Sequence, residues 1–166
     1  MKKHRIWNPY KKFRIIERLE TRIPPPIITL IFIFINFALT YLSVPMQIPY
    51  SNIVGLFLLI AGFFIIIRAG ILFTRNKTVI SPLKPYKSTF LVSNDMYKYS
   101  RNPMYLGLLI IFLSTIIFFQ NFLGFILIPA FILYINYFQI LPEEHALKDI
   151  FGPEYDLYLD SVRRWI

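Results

Sequence analysis

The chain contains no cysteine, which excludes disulfides, thiolate metal ligands and a cysteine nucleophile. Histidine is almost as scarce. His4 and His145 stand at opposite ends of the sequence, one of them in a basic tail, and such a pair argues against a catalytic zinc site or any other bound metal. Charge is also thin, at 16% of 166 residues against 56% hydrophobic, a balance too apolar for an ordinary soluble protein of this length. No glycine-rich GxGxxG run follows a strand-like segment, so a Rossmann nucleotide-binding domain is not expected. There is no internal repeat and no low-complexity linker, and one domain over residues 1–166 accounts for the whole. The first apolar block follows a basic region of more than twenty residues and has no small-residue cleavage site, so it is expected to be retained rather than removed as a signal.

What is present arrives in apolar blocks long enough for lipid, since crossing a hydrocarbon core takes roughly 20 helical residues. Pro24, Pro25 and Pro26 can start a helix but not lie within one, and a first span is predicted over 27–44, from Ile27 to Val44. An uncharged link leads to a second span over 53–73, which carries Arg68 near its basic end, placed to snorkel to the interface or to face a polar cavity. Between Pro103 and Leu141 there is no charge at all, too long for one span and right for two. Dividing this stretch at Gln120 and Asn121 gives spans 103–119 and 122–141, legs of roughly 25 and 30 Å. The fold class expected is therefore an all-α membrane protein of four transmembrane helices. After Glu144 an amphipathic helix is expected within the tail 143–166, with Phe151-Gly152-Pro153 as a helix stop and a fresh start.

The net charge of +9 is concentrated at one end, with eight of the 18 Lys and Arg between Lys2 and Arg22 and only Glu17 and Glu20 against them. A nucleic-acid binder would fold such charge into a recognition surface. Here residues 1–26 run straight into an apolar span, which points to orientation by the positive-inside rule and attraction to membrane lipids. Both termini and the basic stretch from Thr74 to Arg101 are accordingly expected in the cytoplasm.

Polar residues gather at the ends of spans three and four. Tyr97 to Gly107 puts aromatics, Arg101 and the amide of Asn102 on a bend entering a helix, because Pro103 biases the residue before it away from helix. At the other end of the hairpin Glu143 and Glu144 offer carboxylates beside tyrosines. Carboxylates and aromatic faces together suit an ammonium or sulfonium ligand. Solvated acids, or acids paired with Arg101, explain the same residues without a ligand.

The segments TVISPLKPYKSTFLVSNDMYKYSRNPMYLG, Thr78 to Gly107, and EEHALKDIFGPEYDLYLDSVRRWI, Glu143 to Ile166, resemble the two signatures of the isoprenylcysteine carboxyl methyltransferase and phospholipid methyltransferase superfamily. The resemblance implies methyl transfer from S-adenosylmethionine to a lipophilic acceptor that reaches a cytoplasm-facing site from the bilayer. By motif it implies a cofactor pocket of Asn102, Tyr105, Leu106, Gly107, Glu143 and Glu144. Arg101, Glu143 and Glu144 are the candidate catalytic residues. Gly107 admits the cofactor or a neighbouring helix, and Arg101 binds the methionine carboxylate or pairs with a glutamate. Arg163 and Arg164 are candidates to hold an anionic acceptor or to anchor the tail, while Tyr155 and Tyr158 pack the terminal helix. Many family members have His where this chain has Asn102, and Asn cannot take a proton from an ammonium, so a carboxylate acceptor is slightly favoured over an amine unless His145 or a glutamate assists. The alternative is a non-catalytic membrane subunit or lipid-binding protein of the same fold.

Overall fold

A computed structural model of the chain describes residues 23–75 and 90–166. The basic tail up to Arg22 and the segment 76–89, which holds Lys77, Lys84, Lys87 and the first part of the Thr78 to Gly107 motif, lie outside the described residues.

Every regular element described is helical. Helix α1 (Pro25–Leu39) begins on the proline run, with Pro24 extended at φ −54°, ψ 132° and Pro25 inside the first turn, where a missing N–H costs nothing. Helix α2 (Ser51–Arg75) starts two residues before the predicted span and ends two after it. A short 3-10 turn (Asp95–Lys98) leads to α3 (Pro103–Phe118). Helix α4 (Gly124–Ile135) passes through one π turn, Asn136–Ile140, into α5 (Leu141–Phe151), and α6 (Pro153–Ser161) follows. The π turn ends two residues before Pro142, whose ring would collide with the carbonyl four residues back in a regular helix. Widening that turn lets the helix continue past a proline that the sequence marks as its end. The glutamates of the tail 143–166 are therefore inside a helix rather than beyond one.

Among the described residues, two helices are long and apolar enough to cross a membrane, Ser51–Arg75 with 25 residues and the continuous rod Gly124–Phe151 with 28. Helices α1 and α3 are apolar but shorter, with 15 and 16 residues. The predicted first span, 27–44, is cut at Leu39. There Thr40 turns its hydroxyl onto the Phe37 carbonyl, and the chain from Pro45 crosses to the α3–α4 turn, with Met46 N–H donating to the Gln120 carbonyl at 2.7 Å. Gln120 and Asn121 do divide the long apolar stretch. Gln120 adopts φ +50°, and Asn121, wholly buried, donates to the Asn36 carbonyl and side chain, both at 2.9 Å.

The four helices alternate in direction, so the start of α1, the end of α2, the start of α3 and the exit of α4 share one end of the bundle. Packing is tightest between α2 and α3. A Cβ on Gly107 would stand 2.8 Å from the Gly62 carbonyl oxygen and 2.6 Å from Ile66, so two glycines bring these backbones together. Behind them Phe32, Phe112 and Phe131 meet with ring centroids 5.3 to 5.7 Å apart. Outward faces are apolar: Phe34 is 70% and Phe57 69% exposed, while Asn36, Ser114 and Asn121 are buried. Apolar outside and hydrogen-bonded polar groups inside is the distribution a lipid solvent selects.

Candidate functional site

A cavity of about 620 Å³ opens at the shared end of the bundle, within the range of small-ligand sites. One half is polar, lined by Tyr97, Arg101, Asn102, Tyr105, Glu143, Glu144, Tyr155 and Tyr158. The other is apolar and runs down between α1 and α2 past Leu30, Ile33, Phe63 and Ile66. These two helices share no packed interface, their contacts going to α3 and, for α1, to α4. The apolar half thus lies along a seam between helices.

Asn102 precedes α3 outside helical geometry, at φ −129° and ψ 54°, in keeping with the bias against helix before Pro103, and this bend turns Arg101 toward the pocket. The Arg101 guanidinium donates to the Leu159 carbonyl at 2.8 Å and contacts Glu144 at 3.2 Å, while its Nε is buried with no partner among the described residues. A buried N–H left unmatched in a cavity wall is a position for a ligand acceptor. Glu144 is gripped from the far side by Arg164, whose Nε and Nη2 donate to its two oxygens at 3.0 and 2.6 Å. Glu143 has a different neighbour, accepting the Tyr105 hydroxyl at 2.5 Å. One carboxylate is held by two cations, and the other is bonded to a neutral hydroxyl on the cavity wall.

The tyrosines form the remaining wall. Tyr158 donates its hydroxyl to the Tyr97 carbonyl at 2.7 Å, tying α6 to the turn before α3. Burial pushes the phenols of Tyr97, Tyr155 and Tyr158 well above their ordinary range, with charge on neighbouring groups adding to the effect at Tyr97. They are therefore neutral ring faces and hydrogen-bond donors at any pH the protein meets.

Of the residues predicted for the site, Arg101, Asn102, Tyr105, Glu143 and Glu144 are together on the cavity wall. Leu106 and Gly107 are not on it, and Gly107 is spent on the approach to α2. Arg163 and Arg164 also lie off the wall, Arg164 behind Glu144. His145 is exposed and off the lining. Asn102 directs its amide to the Arg164 carbonyl at 3.0 Å. Arg68 lies off the cavity wall and pairs with Asp95 at 2.5 Å. Missed from the sequence were the cavity contacts of Tyr97 and Tyr155 and the whole contribution of α1 from Pro24 to Ile33. The proline run, at the same end of the bundle as the glutamates, was the one available hint.

A helical bundle with apolar outward faces and a polar pocket at one end defines the class as a membrane-associated helical protein. Residues 50–154 match the phospholipid methyltransferase family, and the chain belongs to it. It is thus a membrane methyltransferase by family, in a family whose members use S-adenosylmethionine. An uncharacterized protein of Haemophilus influenzae is 46% identical over 63 residues, which cover 38% of this chain and 100% of that protein. No solved structure matches.

Proposed function

We propose that the chain transfers a methyl group from S-adenosylmethionine to an amine on a lipophilic acceptor that remains in the bilayer. In this reading α1 to α4 all cross the membrane, and the cavity and both chain ends face the cytoplasm. The observation that carries it is the single cavity in which Arg101, Glu143 and four tyrosines meet an apolar seam between helices. The donor set fits the amino-acid part of the cofactor: the unmatched Nε of Arg101 suits a carboxylate, while the tyrosine ring faces suit an ammonium or sulfonium. The cofactor supplies an electrophilic methyl group.

Charge favours the amine. Arg101 is the one cation on the described cavity wall, and a carboxylate acceptor beside the cofactor's own carboxylate would need two. Arg164 is committed to Glu144. The sequence argument for a carboxylate rested on Asn102 being unable to act as a base, and Glu143 supplies a carboxylate close by. Glu143 takes one proton from the incoming ammonium. The freed nitrogen lone pair then forms the C–N bond as the C–S bond breaks, its electrons leaving with sulfur as a neutral thioether. Dry walls and fixed approach provide the rest of the acceleration.

The test is calorimetric titration of S-adenosylmethionine, and separately of its demethylated product, into protein in nanodiscs, beside a Glu143→Ala, Glu144→Ala double variant. Saturable binding that the variant loses is expected, followed by methylation of aminophospholipid in preference to lipophilic carboxylates. Folded protein that binds neither ligand would overturn the enzyme reading in favour of a non-catalytic lipid-binding subunit.

A further inference from the structure

After α6 the backbone becomes extended at Val162, φ −129° and ψ 136°, and runs back along the start of α3. Three donors hold it there: the Arg101 N–H to the Arg163 carbonyl at 3.0 Å, the Asn102 side chain to the Arg164 carbonyl at 3.0 Å, and the Ser100 hydroxyl to that same carbonyl at 3.4 Å. Trp165 closes the strap, its indole N–H donating to Asn136 in the π turn at 3.1 Å. Held this way, the Arg164 side chain reaches Glu144 from behind the cavity wall.

We propose that Arg164 is a positioning residue for the cofactor site, acting by keeping Glu144 from capturing Arg101. A guanidinium meeting a carboxylate edge to edge fixes the plane of that carboxylate. With both oxygens held by Arg164, Glu144 meets Arg101 through one nitrogen, and the Arg101 Nε stays available in the wall. Remove Arg164, and Glu144 is free to turn and take Arg101 in the same forked geometry, consuming the Nε that a ligand needs. Lysine, a point charge without the fork, retains the attraction but does not fix the plane. The inference rests on the cofactor-site reading above, and it gives Arg164 a role distinct from holding an acceptor.

The experiment uses a Trp7→Phe parent, so that Trp165 alone reports strap docking by its emission and its quenching by acrylamide. Binding of S-adenosylhomocysteine is measured by calorimetry in nanodiscs for the parent, Arg164→Lys, Arg164→Gln, Glu144→Gln and the Glu144→Gln, Arg164→Gln pair. Arg164→Lys is expected to keep Trp165 docked yet weaken binding about tenfold, the order typical of a partner standing behind a ligand-holding group. In the Glu144→Gln background Arg164→Gln is expected to add less than about twofold, because no carboxylate remains to capture Arg101. Parent-like affinity in Arg164→Lys, or full additivity in the double variant, would overturn the proposal. A parent that binds no ligand would instead remove the cofactor reading itself, and this inference with it, before any Arg164 variant is compared.

Discussion

Glu143 and Glu144 are consecutive in sequence and chemically unlike in place. Arg101 and Arg164 hold Glu144 as a charged structural centre, whereas Glu143 meets the Tyr105 hydroxyl and the open cavity. In the proposed reaction Glu143 accepts the proton, and Glu143→Gln keeps its shape while removing that capacity. Methyl transfer to an amine is expected to fall about 100-fold or more, within the usual range for a lost general base, with cofactor binding weakened far less. Initial rates and calorimetry on the same nanodisc preparation check this, and an unaffected rate would remove Glu143 as the base. The members of this site that were legible in sequence, Arg101, Asn102, Tyr105 and the two glutamates, sit in short motifs that bring several polar groups together through local chain geometry. Which cation pairs with which glutamate was not legible. Arg101 and Arg164 compete for the same partner, and the choice depends on a strap whose course is set by hydrogen bonds across 62 to 64 residues.

Helix contacts show the same division between local and distant causes. Gly152, at φ +53°, stops α5 and Pro153 starts α6, as a Gly-Pro pair dictates from local sterics alone. The end of α1 at Leu39 was illegible because residues 40–44 are apolar enough to continue a helix. What ends it is the pull of the α3–α4 turn on the 45–50 loop. The π turn was hidden for a related reason, since Pro142 read as a terminus when the helix could absorb it by widening. Between α2 and α3 the constraint is steric, so Gly107→Ala forces a methyl against the Gly62 carbonyl oxygen and Ile66. A loss of about 1–3 kcal/mol is expected, read as a lower melting temperature in nanodiscs, and an unchanged melting temperature would show that these helices yield. Helix α6 and the turn before α3 carry a pH dependence through Tyr97, Tyr155 and Tyr158. Because burial raises these phenols in the folded chain, the native state keeps protons that the unfolded chain releases above about pH 10. Their contribution is complete below that range and is lost as pH rises through it. Melting temperature against pH, together with phenolate absorbance, should show ionisation delayed until unfolding, and phenolate signal appearing near pH 10 in folded protein would contradict the burial.

Across the whole molecule the arrangement of ends decides whether the chemistry is possible. Polar ligand, basic tail and acidic pair must share one membrane face, while the apolar seam must open toward the lipid. In the bundle the α1–α2 loop lies beside the α3–α4 turn, far from the cavity, with Ile48 N–H bonded to the Gln120 side chain at 3.3 Å and that side chain donating to Ser51 at 3.1 Å. Hydropathy alone leaves α1 and α3 short for a full crossing, since 15 and 16 residues span roughly 22 and 24 Å of a core about 30 Å thick. Alternating crossings nevertheless follow if the two long helices span and the short ones pack along them, with the 40–50 loop filling the remaining depth on one side. The absence of cysteine makes this directly measurable. Single cysteines at Gln47 and Ser93, both exposed positions, stand at opposite ends of the bundle. In intact expressing cells a membrane-impermeant maleimide is expected to label Gln47→Cys, and to reach Ser93→Cys only after permeabilisation. Both sites reacting from the outside would break the alternating topology, because α2 would then not cross. The reverse pattern would keep the bundle but turn the cavity away from the cytoplasmic supply of cofactor, and a methyl-transfer site on that face would lose its physical basis.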